Sequence, residues 1–302
     1  MSDGFNTVQA KQINSRGYLL VAGMSVFWGL NWPIMKIALL EISPWTFRTL
    51  TLVCSGIGIL VLARAIGQKL SFSRGEFLPL LLVSMLNVTG WHLGSAHGVS
   101  HMQAGRAVIV GFTMPLWANI ASCLVLKERI TIQKTAALIL GLAGLFILLQ
   151  PQLTVVGDKP IGVFFMLAAA ISWGTGTAML KYFKWTMPTL LLTGWQLIFG
   201  SLPVVAGTIL FEPALAIFQL SSKAILATLY VIAFPMLFCH WAWFSVVGIF
   251  PASVAAITTL MVPVIGVLSS ALVLGERLGF RESAALVLVL TAVGIVLLWR
   301  NE

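Results

Sequence analysis

Acidic residues are scarce in this sequence, and the places where they occur exclude several kinds of site. Asp and Glu contribute only nine of the 302 residues, and all nine fall in tails or at the ends of apolar runs. No carboxylate is therefore predicted at the middle of a membrane, where antiporters that exchange drugs for protons usually need one. The three cysteines stand far apart in apolar runs, so they provide neither a metal site nor a disulfide framework.

Charge of either sign is also rare, and apolar residues take its place. Charged residues make up 9% of the chain, against roughly 25% in a soluble domain, while 59% of the residues are apolar and the mean hydropathy is +1.00. Lipid is therefore the predicted solvent for most of the chain. Apolar runs predict ten membrane-spanning helices, at 18–39, 44–66, 76–96, 100–126, 131–150, 160–183, 188–211, 223–246, 251–275 and 280–299.

Lysine and arginine predict which way these spans point. With the N-terminus in the cytoplasm, eleven basic residues fall in inside segments and four in outside loops, as the positive-inside rule requires. Both termini are therefore predicted to be cytoplasmic, with residues 1–17 as a tail before a first span too long for a signal-peptide core. The same topology accounts for the net charge of +9, so no nucleic-acid partner is predicted.

One phrase occurs twice in the chain. LVLKERIT at residues 124–131 returns as LVLGERLG at residues 272–279, an offset of 148. The same offset aligns Pro115 with Pro263, which apolar composition alone would not readily do. A second match, at an offset of 145, places FWGLNWPIMK near the start of the chain over SWGTGTAMLK near its middle, and pairs Trp28 with Trp173.

These matches predict two repeats of five helices, residues 18–150 and 151–302. Because five is odd, the second repeat must enter the membrane from the opposite side, so the halves are inverted relative to each other. Such repeats are a device of secondary transporters, in which the binding site lies near the membrane midplane between the halves. The repeated phrase itself is predicted to be structural, closing a helical hairpin at the interface through local hydrogen bonds and charge.

Three motifs bear a family resemblance: FWGLNWPIMK, GRAVIVGFTMPLW and the paired endings LKER and LGER. They resemble the EamA-type members of the drug/metabolite transporter superfamily over essentially the whole chain. The resemblance implies an all-α membrane protein of ten helices in two inverted repeats around a central cavity, in the inner membrane of a bacterium. It also implies export of small metabolites by alternating access. The amino-acid exporters of the family imply an apolar or aromatic amino acid as substrate; lipophilic cationic drugs are the alternative, and a channel is a weaker one.

The first predicted helix carries a stripe of candidate contacts. Trp28 and Asn31 share one face, and an Asn in hydrocarbon should face protein or water rather than lipid. Asn31 therefore either lines a cavity or ties this helix to a neighbour. Pro33 lacks a backbone donor and frees the carbonyl of Gly29, which favours a kink.

Arginine and histidine provide further candidates. Arg106 shares a face of the fourth helix with Thr113 and Trp117, and it either extends to the membrane interface or pairs with a substrate carboxylate. Arg48 is expected to extend to the interface. His92 aligns with His240 at the offset of 148, and the two are interpreted either as interfacial residues or as a gate at each mouth.

The complete set of candidates follows from these patterns. The predicted substrate-binding residues are Trp28, Asn31, His92, Arg106, Thr113, Trp117, Trp173 and His240, and the predicted helix breaks or hinges are Pro33, Pro115, Gly174 and Pro263. His97 and His101 are four apart but have no nearby carboxylate, so no metal site is predicted.

Without a buried acid, transport is expected to be facilitative or by exchange, or else coupled to protons through His92 or His240. No phosphate-binding loop and no hydrolase motif is present, so neither ATP, nor a cofactor, nor an enzymatic activity is predicted. The expected partners are a small-molecule substrate and the lipid bilayer; the oligomeric state stays open, and a monomer is compatible with the sequence.

Overall fold

A computed structural model describes residues 3–127, 132–154, 160–212, 220–242 and 252–298. These residues form helices and their connections, and they contain no β-strand. The helices are α1 (Asp3–Ala38), α2 (Pro44–Ala65), α3 (Arg74–His101), α4 (Ala104–Val125), α5 (Ile132–Thr154), α6 (Ile161–Tyr182), α7 (Thr189–Phe211), α8 (Ser222–Ala242), α9 (Ala252–Leu274) and α10 (Phe280–Leu298). Within the described ranges, six of them (α2, α3, α4, α6, α7 and α8) are long and apolar enough to cross a membrane.

The helix boundaries lie within a few residues of most predicted spans. The largest difference is at the start, where α1 begins at Asp3 rather than at residue 18. The third helix runs on to His101, five residues past its predicted end, before Met102 and Gln103 adopt extended backbone. The predicted end of the eighth span, at residue 246, lies outside the described residues.

Local signals explain where several helices begin. Ser43 precedes α2, and its hydroxyl accepts a hydrogen bond from the Thr46 amide at 3.1 Å. Pro44 follows at the first helical position, where its missing N–H costs nothing. Ser221 caps α8 in the same way, accepting from the Ala224 amide at 3.2 Å.

The outer surface of the bundle is apolar. Leu78, Ile209 and Leu272 are between 71% and 87% exposed, and many other large apolar side chains are also exposed. The interior, in contrast, holds polar groups such as Thr51, which is fully buried. A surface of this kind suits hydrocarbon rather than water.

Helix packing follows one pattern in both halves. Helix α2 packs against α7, and α5 packs against α10. Helix α1 packs against α8 and α9, while α6 packs against α3 and α4. Adding five to every helix number in the first half, and subtracting five in the second, returns the same set of pairs. The main contacts therefore join one half to the other, and they are unchanged when the halves are exchanged.

Individual residue contacts show the same symmetry between the two halves. Gly29 of α1 lies against Ile265 of α9, and the aligned Gly174 of α6 lies against Trp117 of α4. Both are close approaches that leave no room for a Cβ atom. The repeated helix pairing thus extends to the residues that set the distance between helices.

Two carboxylates also occupy exchanged positions. Glu41, after α1, accepts hydrogen bonds from the Ser221 amide at 2.9 Å and from its hydroxyl at 2.6 Å. Glu76, at the start of α3, accepts from the amide and hydroxyl of Thr186. Thr186 aligns with Glu41, and Ser221 with Glu76, at the offset of 145. The contact is kept in both halves although the acid and the hydroxyl have changed places.

The repeated phrase contains a left-handed residue in both copies. Gly275 ends α9 with φ +67°, and the aligned Lys127 ends α4 with φ +55°. A glycine adopts this conformation without strain, whereas a lysine does so at a cost. The second copy therefore has the residue that this turn favours, and the first copy does not.

Exchanging these two residues provides a test. Lys127→Gly is expected to stabilise the protein by about 1 kcal/mol, because it removes left-handed strain of that order. Gly275→Lys is expected to destabilise it by a similar amount, since no atom lies near the added Cβ and only the backbone conformation opposes it. Thermal unfolding in detergent measures both; shifts of the same sign in the two variants would contradict the explanation.

Candidate functional site

Two helices contain π-helical segments at equivalent places. In α3 the segment is Met85–Leu93, and in α8 it is Ile232–Phe238. The offset of 148 carries the first segment onto residues 233–241, so the two share residues 233–238. π-Helical turns are rare and occur frequently at functional sites. Pro235, inside the second segment, lacks the N–H that a regular α-helix would use there.

The two symmetric tryptophans lie against these segments. Trp28 of α1 donates its indole N–H to the carbonyl of Pro235 at 3.1 Å, and its ring meets that of His240 edge-on at 6.2 Å. Trp173 of α6 packs at 5.2 Å from the ring of Trp91, within the π segment of α3. Each predicted tryptophan thus contacts the π segment of the opposite half.

Buried amide oxygens without hydrogen bonds lie on the helices around these segments. Asn87, in the π segment of α3, is 6% exposed, and its Oδ1 atom has no partner among the described residues. The same holds for Oδ1 of Asn31 on α1. Asn87 contacts Gly176, which is the residue aligned with Asn31. A carbonyl oxygen left without a donor in the interior is costly, so these two oxygens are unsatisfied acceptors beside the π segments.

The two histidines are not at opposite mouths. His92 is 7% exposed, its Nδ1 atom has no partner among the described residues, and it lies close enough to His240 for the two rings to interact electrostatically. His240 Nδ1 lies 3.2 Å from the carbonyl of Pro235. The prediction of one gate residue at each mouth is therefore wrong, because helix packing brings both rings into the same region beside the π segments.

Arg48 is the largest departure from expectation. Its side chain is 3% exposed and does not extend to the interface as predicted. Its Nε atom donates to the His92 carbonyl at 2.7 Å, and Nη2 donates to Ser95 at 3.0 Å and to the sulfur of Met35 at 2.9 Å. Helices α1 and α3 cover Arg48, a fact that its position in the sequence could not reveal.

Arg106 pairs with a carboxylate of the protein itself. It forms an ion pair with Glu282 at the start of α10, with Nη2 and Nε at 2.8 and 3.0 Å from the same carboxylate oxygen. Its charge is therefore already compensated in this conformation. Thr113 and Trp117 bond to each other at 3.1 Å, and the Thr113 hydroxyl donates to the Val110 carbonyl at 2.6 Å.

The second copy of the repeated phrase makes a long-range contact instead of the local one predicted. Glu276 accepts hydrogen bonds from the amides of Ala104 and Gly105, at 2.7 and 2.9 Å, and thereby caps the start of α4. Lys36 donates to three carbonyls at the end of α3, those of Val99, Ser100 and Met102. The turn between α3 and α4 is thus held by two charged groups: the Glu276 carboxylate binds the amides at the start of α4, and the Lys36 ammonium group binds the carbonyls at the end of α3. Glu128–Arg129, in the first copy, lie outside the described residues.

Only one of the predicted helix breaks coincides with an interruption. Pro115 begins the second part of α4 (Met114–Val125), after Phe112 and Thr113 have left the helical path. Pro33 and Pro263 lie inside the uninterrupted helices α1 and α9. Gly174 lies at the close contact between α6 and α4, within the uninterrupted helix α6. Helices α4 and α9 therefore differ in shape although their sequences align.

A cavity of about 470 Å³ lies away from these residues. It is lined by the α2–α3 and α6–α7 connections, from Gln68 to Ser73 and from Thr186 to Leu191. It is thus not the midplane cavity predicted from the sequence.

Helices with an apolar outer surface, together with a buried polar and aromatic region, define a multi-pass membrane protein. Comparison with known proteins agrees: the model of the EamA-like transporter family matches residues 15–150 and again residues 160–298. The chain belongs to the EamA-like transporter family, which confirms the resemblance seen in its sequence. It is accordingly a membrane transporter of small molecules.

Individual relatives extend over most of the chain. “Uncharacterized transporter YvbV” of Bacillus subtilis is 29% identical, over 93% of this chain and 92% of its own. A “Probable amino-acid metabolite efflux pump” of Salmonella typhimurium is 28% identical, and its namesake in Escherichia coli 27%, each over 89% of this chain and 91% of its own. A solved structure titled “Crystal structure of protein” has the same fold, with a TM-score of 0.64 at 18% identity over 94% of this chain and 97% of that one.

Proposed function

We propose that the protein exports small metabolites, namely amino acids with apolar or aromatic side chains, by alternating access between two inverted five-helix repeats. The observation that carries the proposal is the pair of π segments, each contacted by a symmetric tryptophan of the opposite half. A substrate between these segments would contact both halves at once, as alternating access requires.

Several features support the inverted repeat of ten spans. The main helix pairs are unchanged when the halves are exchanged, and the family model matches each half separately. A broken α4 beside an unbroken α9 supports two conformations for one aligned sequence. Such a difference is what a transporter built from inverted repeats uses to open one side at a time.

The composition of the region supports an amino acid as substrate. Trp28, Trp91 and Trp173 offer aromatic surface for an apolar side chain, and Asn31 and Asn87 offer carbonyl oxygens to a substrate ammonium group. His92, His240, Thr113 and Trp117 complete the proposed site, while the ion pair with Glu282 makes Arg106 a poorer candidate. Two relatives are named as amino-acid metabolite efflux pumps, which supports the same substrate class.

The membrane placement is part of the proposal. We place the protein in the bacterial inner membrane with both termini in the cytoplasm, on the distribution of its basic residues. Fusion of a reporter that is active only in the cytoplasm to Glu302 should give signal, whereas fusion in the α1–α2 connection should not. The reverse pattern would contradict this orientation.

Substrate counterflow tests the function itself. Purified protein in liposomes preloaded with unlabelled L-phenylalanine or L-leucine is expected to accumulate the labelled amino acid transiently and saturably. Trp28→Phe keeps an aromatic ring but removes the indole N–H that donates to the Pro235 carbonyl. This variant is expected to slow counterflow by roughly 3–10-fold, because it loses a hydrogen bond of about 1 kcal/mol.

The outcomes separate the competing functions. Counterflow of lipophilic cationic dyes without any of amino acids would reassign the protein to drug export. Unsaturable flux without counterflow would instead indicate a channel. A flux that an imposed pH gradient drives uphill after both His92 and His240 are replaced would contradict facilitative or histidine-coupled transport.

A further inference from the structure

We propose that Arg48 binds the carboxylate group of the transported molecule. The inference rests on the proposed amino-acid substrate and identifies the group that recognises its acidic end. It moves this role from Arg106, where sequence alone had placed it, to an arginine in a different helix.

The guanidinium of Arg48 uses only one of its two hydrogen-bonding edges. Nε and Nη2 form the edge that faces α3, donating to the His92 carbonyl at 2.7 Å and to the Ser95 hydroxyl at 3.0 Å. At the end of the side chain, Nη2 meets only the sulfur of Met35 at 2.9 Å, and Nη1 has no partner among the described residues. A thioether is a weak acceptor. A carboxylate bound at this end edge would therefore accept much stronger hydrogen bonds from the guanidinium than the thioether does.

No carboxylate of the described residues pairs with Arg48. Its described partners are a carbonyl, a hydroxyl, a thioether and the ring of Phe47 at 5.1 Å, and all of them are neutral. Arg106, in contrast, forms an ion pair with Glu282. The other ionisable group beside Arg48 is His92, which cannot supply negative charge. A cation buried in a membrane protein without a counter-ion is costly, and a substrate carboxylate would remove that cost.

The surroundings of Arg48 match the rest of an amino acid. Its donor bond to the His92 carbonyl attaches it to the end of the π segment of α3. The same segment carries the unpartnered Oδ1 of Asn87 and the ring of Trp91, which stands against Trp173. The π segment of α3 and the adjoining Arg48 therefore carry a group for each part of an amino acid. The guanidinium would bind the carboxylate, the amide oxygen would bind the ammonium group, and the indole rings would contact the side chain.

A purely structural role is the competing explanation. Arg48 anchors α2 to α3, and its loss would then impair transport of every substrate alike. The two roles differ in what they do to selectivity: an anchor affects all ligands, whereas a carboxylate partner affects only ligands that carry a carboxylate.

The test compares an amino acid with its uncharged-carboxyl analogue. The full-length protein in proteoliposomes is assayed for counterflow of labelled L-phenylalanine, with unlabelled L-phenylalanine, its amide and phenethylamine as competitors. The wild-type protein should favour the amino acid over the amide by about 10–100-fold, the range for a charge-assisted hydrogen bond. In Arg48→Gln that preference should disappear, with the amide competing as well as before. Arg64→Gln, an exposed arginine of the same helix, should keep the wild-type preference.

Each result has a defined meaning. An Arg48→Gln protein that keeps the wild-type preference overturns this inference and leaves the amino-acid function standing. A wild-type protein that takes the amide or amine but no amino acid overturns both. If Arg48→Gln does not fold, Arg48→Lys is used, because lysine keeps the charge but not the planar fork. Its preference should fall several-fold while competition by the amide is unchanged, and an unaltered preference overturns the proposal.

Discussion

Gly174→Ala is expected to destabilise the protein by about 1–3 kcal/mol, the usual cost of adding a methyl group to a filled interior. A Cβ atom at this position would lie 2.5 Å from the backbone nitrogen of Ala118 and 2.7 Å from the Cβ of Trp117. The obstacle is backbone, which cannot rotate away as a side chain can. Helices α6 and α4 would have to separate, and with them one of the two symmetric contacts between the halves.

Two other glycines provide matched controls in the same experiment. Gly29→Ala, at the symmetric contact, would place its Cβ atom against Cγ2 and 2.6 Å from Cβ of Ile265, so a loss of similar size is expected. Gly294→Ala meets nothing within 4 Å and should be neutral or slightly stabilising, since alanine favours a helix over glycine. Thermal unfolding in detergent should show losses for Gly174→Ala and Gly29→Ala and none for Gly294→Ala, and a neutral Gly174→Ala would show that the α4–α6 contact is looser than described.

Glu276→Gln is expected to loosen the turn between α3 and α4. The substitution removes the negative charge that caps α4 through the amides of Ala104 and Gly105. Loss of such a cap costs ~0.5–2 kcal/mol, and hydrogen bonds to charged groups contribute ~1.5–3 kcal/mol. If the free energy of opening the turn falls by about 2 kcal/mol, the population of the opened turn rises roughly 30-fold.

Thiol labelling measures this opening. In a background without the three native cysteines, Val108→Cys places a thiol at a fully buried position of α4. Its reaction with a membrane-impermeant maleimide should accelerate by about 10-fold or more when Glu276→Gln is added, in line with a shift of that size. Glu41→Gln makes the same chemical change at the cap of α8 and should leave the rate unchanged. Equal acceleration in both variants would indicate general loosening instead.

The two charged side chains that hold the α3–α4 turn both have aligned counterparts elsewhere in the chain. Lys181 aligns with Lys36, and Glu128 aligns with Glu276. The sequence phrase that first revealed the repeat is thus associated with a cap between halves rather than with a local hairpin. Its location at the ends of helices was predictable, because charged residues collect where apolar runs stop, but its partner was not.

Residue type and spacing paired several of the residues that lie around the π segments. Trp28 and Trp173 were paired by the offset of 145, and both contact π segments. His92 and His240 were paired by the offset of 148, but their proximity was missed. The π segments gave no clear sequence signal beyond Pro235, since a π turn arises from packing as well as from composition.

The two arginines show where prediction from sequence stops. Both lie near helix ends, so both were candidates for extension to the interface, and periodicity could only say which face of a helix each occupies. Which one is buried without a counter-ion depends on what the neighbouring helices present. Helix α10 brings Glu282 to Arg106, whereas α1 and α3 bring only neutral groups to Arg48.

Sequence alone was enough to predict a helical membrane protein, the approximate positions of most of its helices, and the relation between its two halves. It could do so because hydrophobicity, helix termination and repetition are local properties of a chain. Helix packing, in contrast, is what brings His92 and His240 to the π segments, places Glu276 at the start of a helix of the other half and surrounds Arg48 with neutral groups of the described residues. Those outcomes depend on contacts between different helices, and no local pattern specifies which helix faces which.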